Sequence, residues 1–222
     1  MLALAVLLVA LDAPPVEPPP DTTLAALHGT WVATVQTDTT THTIELTLSD
    51  RALVLTVLPA VTGDDMAYAY EEHSAYRAEP ASPAGSVTLH RPDSLRLDLH
   101  PESGRLRVTW TRHGVSDGSV FERPAPDPRA GTWRLTVVDD AGVPLDLPLR
   151  IHPDGTVLGA DGEPVLGVAR LRGPALLVAD AGEALVIDGV EVRPLGMRAV
   201  TAAGRRLRVG GAPAFWLERR TD

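Results

Sequence analysis

The side chains best suited to chemistry gather in one segment, residues 59–85. It holds His73, all three tyrosines of the chain and four carboxylates that are close together in sequence, namely Tyr68, Tyr70, Tyr76, Asp64, Asp65, Glu71 and Glu72. A tyrosine combines an apolar ring with one hydroxyl group, which suits a pocket that is both apolar and selective. The segment therefore predicts a site for a small apolar ligand, and its candidate residues are Tyr68, Tyr70, Tyr76 and His73.

A hydrolase or isomerase site is the catalytic alternative for the same segment. His73 can exchange protons with a nearby carboxylate, Glu72 or Asp65, as general acid–base catalysis requires. The sequence nevertheless has no Gly-x-Ser-x-Gly, His-Glu-x-x-His or glycine-rich phosphate motif. Its seven histidines are scattered, and no two of them have the short spacing of metal ligands. We therefore predict no catalytic residue set, no metal and no cofactor.

Composition removes several further classes of function. The chain has no cysteine and no lysine, and its net charge is −9 with 20 basic residues that are all arginine. Disulfides, a cysteine nucleophile and a Schiff-base lysine are excluded. An acidic chain without a basic run is a poor partner for nucleic acid or for an anionic membrane. The sequence predicts no nucleic-acid partner.

The amino-terminal residues predict export. Residues 1–11 form an unbroken apolar run that is too short for a membrane-spanning helix of about 20 residues. The run resembles the apolar core of a secretory signal peptide, so we expect a signal-like segment at 1–13 and no integral membrane span. A proline-rich linker at 14–23 follows. The expected location is the periplasm, the cell envelope or the exterior; a short anchor helix or a first strand is the alternative for the run.

Alternating apolar and polar residues predict strands along most of the chain. In residues 43–48, Ile44, Leu46 and Leu48 face one side and polar residues face the other, as in a half-buried strand. The chain also has 19 glycines and 20 prolines, more than the usual share of about 12%. This composition favours short strands and tight turns, and leaves room for one short helix at 22–27 or 64–76.

Four patterns recur in the same order about a hundred positions later. The tripeptide Gly-Thr-Trp occurs at 29–31 and at 131–133, and Leu-Arg-Val occurs at 106–108 and 207–209. The pair Glu-Arg ends both halves, and an alternating apolar trio lies in each. The recurrences are Glu122 and Arg123 with Glu218 and Arg219, and Ile44, Leu46 and Leu48 with Leu147, Leu149 and Ile151. This order predicts two similar domains, 24–123 and 130–222, joined by a linker at 124–129.

The Gly-Thr-Trp start and Glu-Arg end of each repeat resemble the small bacterial lipocalin-like (calycin-type) barrels. The resemblance implies two tandem antiparallel up-and-down barrels of about eight strands each. In that superfamily the indole closes one end of the barrel under an arginine, which carries over as Trp31 with Arg123 and Trp133 with Arg219. The lipocalin Thr-Asp-Tyr motif is missing here. Two β-sandwiches are the alternative architecture, and they would place the tryptophans in mid-core.

These inferences favour an exported, non-catalytic binding protein. An eight-stranded barrel holds either a filled core or one small ligand. The expected ligand is a small apolar molecule at the mouth of the first barrel, beside the tyrosines. The main alternative is a structural or protein-interaction module of the cell envelope with filled barrels, whose partner would be another envelope protein.

Overall fold

The computed structural model shows that the chain is built almost entirely from antiparallel strands. It describes residues 22–36, 40–60, 67–83, 85–138, 143–163, 168–178, 182–210 and 215–220. These residues form eighteen strands and one helix of six residues. The all-β prediction is confirmed. The predicted signal-like segment 1–13 and residues 14–21 of the predicted linker lie outside the described residues.

The first half contains the helix and nine strands. The helix α1 covers Thr22–Leu27 and leads directly into the first strand. The strands are β1 Gly29–Gln36, β2 Thr41–Leu48, β3 Ala52–Pro59, β4 Ala67–Ala75, β5 Arg77–Ala81, β6 Ser86–His90, β7 Arg96–Glu102, β8 Arg105–Arg112 and β9 Val115–Glu122.

The second half contains another nine strands. They are β10 Gly131–Val138, β11 Pro144–Ile151, β12 Val157–Gly159, β13 Val168–Arg172, β14 Ala175–Val178, β15 Leu185–Ile187, β16 Val190–Ala203, β17 Arg206–Val209 and β18 Phe215–Arg219. The predicted linker 124–129 lies between β9 and β10 and contains no strand.

Each strand of the first half pairs mainly with its neighbours in sequence. Strands β1 to β4 form one antiparallel run and β5 to β9 form another. The runs meet where Val32 of β1 lies opposite Glu122 of β9. In the part of the chain that the structure describes, no ladder joins β4 to β5, so this sheet is not closed there.

The second half repeats this plan with one variation. Strand β10 pairs with β11 on one edge and with β18 on the other, and β11 continues to β12. A single bridge between Thr156 and Arg170 links β12 to β13. From β13 the pairing runs through β14, β16 and β17 to β18, while β15 forms a short hairpin with β16.

The long strand β16 joins the two halves into one sheet. Its residues from Glu191 to Met197 pair with β4, and its residues from Val200 to Ala203 pair with β17 along the same edge. The edge of β4 that does not pair with β3 is therefore occupied by a strand of the second half. Two separate closed barrels are not confirmed, because the backbone groups of β4 find their partners across the halves.

Burial follows the predicted alternation and produces three apolar cores. The first core lies inside the first half and includes Trp31, Leu46 and Phe121. The second lies inside the second half around Trp133 and Leu149. The third lies at the junction of the halves and consists of Leu58, Ala69, Ala175, Leu177, Leu195 and Met197. The junction is therefore partly an apolar interface.

One of the two predicted helix positions is occupied by a helix and the other by a strand. Helix α1 covers the predicted residues 22–27. The alternative at 64–76 is wrong, because its described residues form β4. Tyr68 and Tyr70 on this strand are exposed while Ala69 between them is buried, which is the period-two pattern of a strand.

The recurring sequence patterns occupy equivalent positions in the two halves. Trp31 lies opposite Leu46 in the β1–β2 ladder, and Trp133 lies opposite Leu149 in the β10–β11 ladder. The last strands of the two halves, β9 and β18, also have equivalent registers, because Glu122 lies opposite Val32 and Glu218 lies opposite Arg134. Both halves therefore repeat one set of strand registers.

Each repeated tryptophan is held by a carbonyl group and an arginine. The indole Nε1 of Trp31 donates to the Leu27 carbonyl at 2.8 Å, and that of Trp133 donates to the Arg129 carbonyl at 2.8 Å. The guanidinium carbon of Arg123 lies 3.8 Å from the Trp31 ring centroid; for Arg219 and Trp133 the distance is 5.8 Å. Both indoles are buried, and both arginines lie within the range of cation–π attraction.

Replacing either tryptophan by alanine should lower the free energy of unfolding by about 3–5 kcal/mol. The change empties a buried volume and removes the indole hydrogen bond. Urea denaturation followed by circular dichroism measures the effect of Trp31→Ala and Trp133→Ala. Trp216→Ala is the control, because the Trp216 side chain is 42% exposed and should contribute much less. Equal stability of Trp31→Ala and the parent would contradict the prediction.

Candidate functional site

A cleft of about 990 Å³ lies between the two halves. The first half lines it with residues of β1, β2 and β3, and the second half with the turn between β13 and β14 and with parts of β16 and β17. The linker 124–129 forms a third wall. The cleft is therefore built from segments that are distant in sequence, and it depends on the β4–β16 pairing that brings them together.

The lining of the cleft is mostly apolar. It includes Leu58, Met197 and Val200 together with six prolines, namely Pro59, Pro124, Pro126, Pro128, Pro153 and Pro174. Proline has no backbone N–H and a fixed φ, so it offers a rigid apolar surface without a hydrogen-bond donor. Thr34, Thr41 and Thr43 contribute hydroxyl groups. This combination suits a small apolar molecule with a few polar atoms.

A buried carboxylate, Glu45, lies in the cleft wall and pairs with two arginines of the other half. Its Oε1 is 2.5 Å from Nε of Arg172, and its Oε2 is 3.4 Å from Nη2 of Arg170. The Glu45 side chain is 2% exposed. A buried charge is tolerated only with close partners, so both arginines are required to keep this carboxylate in place.

Arg170 also extends this network of ion pairs to β4. Nη2 of Arg170 is 2.5 Å from Oε1 of Glu71 and donates to the Thr56 hydroxyl at 3.1 Å. Nε2 of His73 is 3.1 Å from the other oxygen of Glu71. Two carboxylates of the first half therefore face two guanidinium groups of the second half, and the charges balance across the junction.

The remaining charged groups of the cleft also have partners. Asp127 is 2.5 Å from Nη2 of Arg129; burial alone would raise the pKa of Asp127, but the hydrogen bonds from Arg129 outweigh it and lower the pKa. Burial would likewise raise the pKa of Asp154, which the hydrogen bonds from Thr156 lower. Because these charges are already paired, a ligand in the cleft meets an electrically balanced wall.

The four predicted ligand-binding residues do not come together. Tyr68 and Tyr70 share one face of β4, while His73 lies on the opposite face because strand residues alternate. Tyr76 follows β4, packs against the first core and donates its hydroxyl hydrogen to the Ser49 carbonyl. None of the four is among the residues that line the cleft.

The geometry also separates the predicted acid–base partners. Glu72 pairs with Arg91 at 2.7 Å and points away from His73, and Asp65 lies outside the described residues. His73 contacts Glu71 instead, but Glu71 is held by Arg170 and neither His73 nor Glu71 lines the cleft. The His73–Glu71 contact is therefore part of the junction network.

A second, smaller pocket of about 200 Å³ lies between the β15–β16 hairpin and the turn after β6. Its Arg91 side chain is fully buried and is 2.7 Å from Glu72 and 3.0 Å from Asp93. Arg112 also contacts Asp93. Burial would raise the pKa of Asp93, but the guanidinium groups of Arg91 and Arg112 outweigh it and hold the pKa below its ordinary value. Arg91 therefore links β4 to the turn after β6, two segments that no strand ladder of the described residues joins.

Sequence reasoning did not identify Glu45, Arg170 or Arg172. Glu45 alternates with Ile44 and Leu46 and therefore has the pattern of a solvent-facing residue. It is buried because the second half covers this face of β2. Alternation distinguishes the two faces of a strand, but it carries no information about which outer face another unit will cover.

Comparisons with protein-family models, with curated proteins and with solved structures found no match to this chain. Among the described residues, no group of three or more His, Asp or Glu side chains is placed to hold a metal ion. The helix of the described part is not long and apolar enough to cross a membrane. The function is therefore argued from the geometry of the cleft.

Replacing Glu45 by alanine should lower the free energy of unfolding by about 3–5 kcal/mol, because it leaves the guanidinium group of Arg172 without its buried carboxylate partner. Urea denaturation of Glu45→Ala, Arg172→Ala and the double variant measures the coupling. We expect the double variant to be more stable than the sum of the single changes predicts. The exposed pair Arg105–Glu122 is the control, and Glu122→Ala should cost about 1 kcal/mol or less. Strictly additive effects at Glu45 and Arg172 would contradict the network.

Stability should fall as the pH drops through the lowered pKa of Asp93. A carboxylate whose pKa is lower in the folded state stabilises the protein above its unfolded pKa of about 4, and this contribution is lost on acidification. Asp93→Asn should be less stable than the parent at neutral pH. Between about pH 6 and about pH 3, it should lose less stability than the parent does, as measured by thermal melting. Asp188→Asn, an exposed position in the same pocket, is the control. A parallel pH dependence of the parent and Asp93→Asn would contradict the assignment.

Proposed function

We propose that this chain is an exported, non-catalytic binding protein that holds one small, mostly apolar molecule in the cleft between its halves. The observation that carries the proposal is an apolar cleft whose charged side chains are already paired with one another. The apolar run at 1–11, which resembles a signal-peptide core, supports export to the periplasm, the cell envelope or the exterior.

The size and lining of the cleft support this class of ligand. Its volume of about 990 Å³ is at the upper end of the usual range for small-molecule sites, about 300–1,000 Å³. Pro59, Pro126 and Pro174 offer rigid apolar contacts, so little conformational entropy is lost on binding. The hydroxyl groups of Thr34 and Thr43 can bond the polar end of a ligand and so fix its orientation.

The charge arrangement argues against a strongly charged ligand. A carboxylate ligand would compete with Glu45 for Arg172, and breaking that buried pair costs several kcal/mol. A cationic ligand would compete with Arg172 for Glu45 at a similar cost. A neutral molecule avoids both costs, so neutral apolar compounds such as fatty alcohols or polyketide-like esters are the proposed class.

An apolar fluorescent dye tests the site. N-phenyl-1-naphthylamine should increase in fluorescence on binding, and neutral long-chain alcohols should displace it. Thr34→Trp places an indole in the cleft from an exposed strand position and should weaken dye binding about tenfold or more. Gln36→Trp is the matched control, because it lies two residues further along the same face of β1 and is not among the lining residues.

Two outcomes would overturn the proposal. The first is the absence of dye binding by the parent protein. The second is equal binding by Thr34→Trp and Gln36→Trp, which would place the dye elsewhere. An interaction module of the cell envelope, the main alternative from the sequence, predicts the first of these outcomes, so the experiment separates the two functions.

A further inference from the structure

The second half exposes a strand face that its repeat partner does not expose. In the first half, Val32 of β1 and Glu45 of β2 lie opposite each other and line the cleft. The equivalent pair in the second half is Arg134 of β10 and Pro148 of β11, and both residues are exposed. The face that the second half covers in one repeat is therefore open to solvent in the other.

This open face, formed by β11, β10, β18 and β17, collects arginines. Strand registers place Arg150 beside Thr132, Arg134 beside Glu218, and Arg208 beside Trp216. Six arginines and two carboxylates lie on the face or at its end, namely Arg134, Arg150, Arg205, Arg206, Arg208, Arg220, Asp146 and Glu218. The face is thus basic in a chain whose net charge is −9.

Three of these arginines lie at one end of the face: Arg150 and Arg220 beside Thr132, and Arg205 in the turn between β16 and β17. The backbone N–H of Arg220 donates to the Thr132 carbonyl, opposite Arg150, and Arg205 accepts from the backbone of Arg219. Neighbouring strands are about 4.8 Å apart, so Arg150 and Arg220, which flank Thr132, start about 10 Å apart and within reach of one extended ligand. Within the described ranges, no ion pair engages Arg150, Arg205 or Arg220, and all three are exposed.

An exposed tryptophan lies on the same face. Trp216 of β18 is 42% exposed and lies between Thr136 and Arg208 in the strand registers. Its position is four residues before Arg220, which is about 13 Å along a strand. A large exposed aromatic ring is costly to leave in water, and here it shares a face with Arg150 and Arg220.

We propose that this face binds an anionic polysaccharide. The indole of Trp216 stacks on the apolar face of one sugar ring, and the arginines at the end of β18 bind carboxylates further along the polymer. Arginine binds a carboxylate through two parallel hydrogen bonds, which favours it over lysine in this role. The site is separate from the cleft and does not rest on the ligand proposed there.

The mixed polarity of the face favours a polysaccharide over a phospholipid surface. Asp146 and Glu218 pair with Arg134 on the face, and Thr136 donates to Asp146; the remaining lone pairs of these oxygens can accept hydrogen bonds from the hydroxyl groups of a sugar. A sheet of lipid phosphates would instead bring negative charge against both carboxylates. The separation between Trp216 and Arg220 is also longer than one sugar ring, so an extended polymer fits better than a monosaccharide.

Isothermal titration calorimetry with oligogalacturonate at low salt tests the proposal. Poly-L-glutamate of equal charge is the comparison, because it has carboxylates but no sugar rings. We expect tighter binding of oligogalacturonate, and weaker binding of both polymers as salt rises. Trp216→Ala should weaken oligogalacturonate binding about tenfold and leave poly-L-glutamate binding unchanged. The triple change Arg150→Ser, Arg205→Ser and Arg220→Ser should weaken both.

Matched controls come from the first half. Val120 is the repeat equivalent of Trp216, and Val120→Ala should leave the affinity unchanged. The triple change Arg77→Ser, Arg96→Ser and Arg107→Ser removes the same charge from other exposed positions and should have little effect. Circular dichroism checks that every variant is folded.

Four results would overturn the proposal. They are no binding of oligogalacturonate by the parent, equal affinity for both polymers with no effect of Trp216→Ala, tighter binding to phosphatidylglycerol vesicles than to oligogalacturonate, and a concentration-dependent dimer that the arginine changes abolish. The second result would reduce the face to a non-specific cationic patch. The third and fourth would assign it to a membrane and to a second copy of this chain.

Discussion

The antiparallel ladder between β4 and β16 is the contact on which the arrangement of the halves depends. It satisfies the backbone groups of a strand edge that would otherwise be open, and it uses seven residues of each strand. An open edge is a liability for a β protein because it can pair with other chains. Here the edge of one repeat is covered by the other repeat, and the cleft forms beside that joint.

The charged network adds specificity to this joint. Apolar contacts among Leu58, Leu177 and Met197 supply non-directional stabilisation, which many relative positions of the halves could provide. The pairing of Glu45 with Arg172 requires one geometry, because a buried carboxylate without its partner is strongly destabilising. The ladder and the ion pairs therefore fix the relative position of the halves, while the apolar contacts contribute buried surface area.

The two halves share one set of strand registers but have different surroundings. The tryptophan, its arginine and the closing glutamate occupy the same registers in both halves. The outer face beside them differs, because the first half turns it towards the cleft and the second half turns it towards water. The residue types at equivalent positions differ accordingly. The first half has Val32 and Glu45 on this face, and the second half has Arg134 and Pro148. One fold thus presents an apolar cleft and a basic face.

The sequence by itself predicted much of the local structure. Alternation predicted strands such as β2, and the recurrence of Gly-Thr-Trp and Glu-Arg predicted the repeat whose registers the structure displays. These features depend on neighbouring residues, because alternation and turn formation are properties of short segments. The helix proposed for 64–76 was wrong because the ladders to β3 and β16 outweigh any local helical preference of that segment.

Only the tertiary structure decided where the halves meet and what that contact creates. Nothing in the strand pattern around Glu45 distinguishes a carboxylate facing water from one facing Arg172. Tyr68 and His73 are close in sequence but lie on opposite faces of β4, so nearness along the chain did not make a site. The cleft and the arginine face are built from strands far apart in sequence. Their positions follow from long-range pairing, which a period-two pattern does not encode.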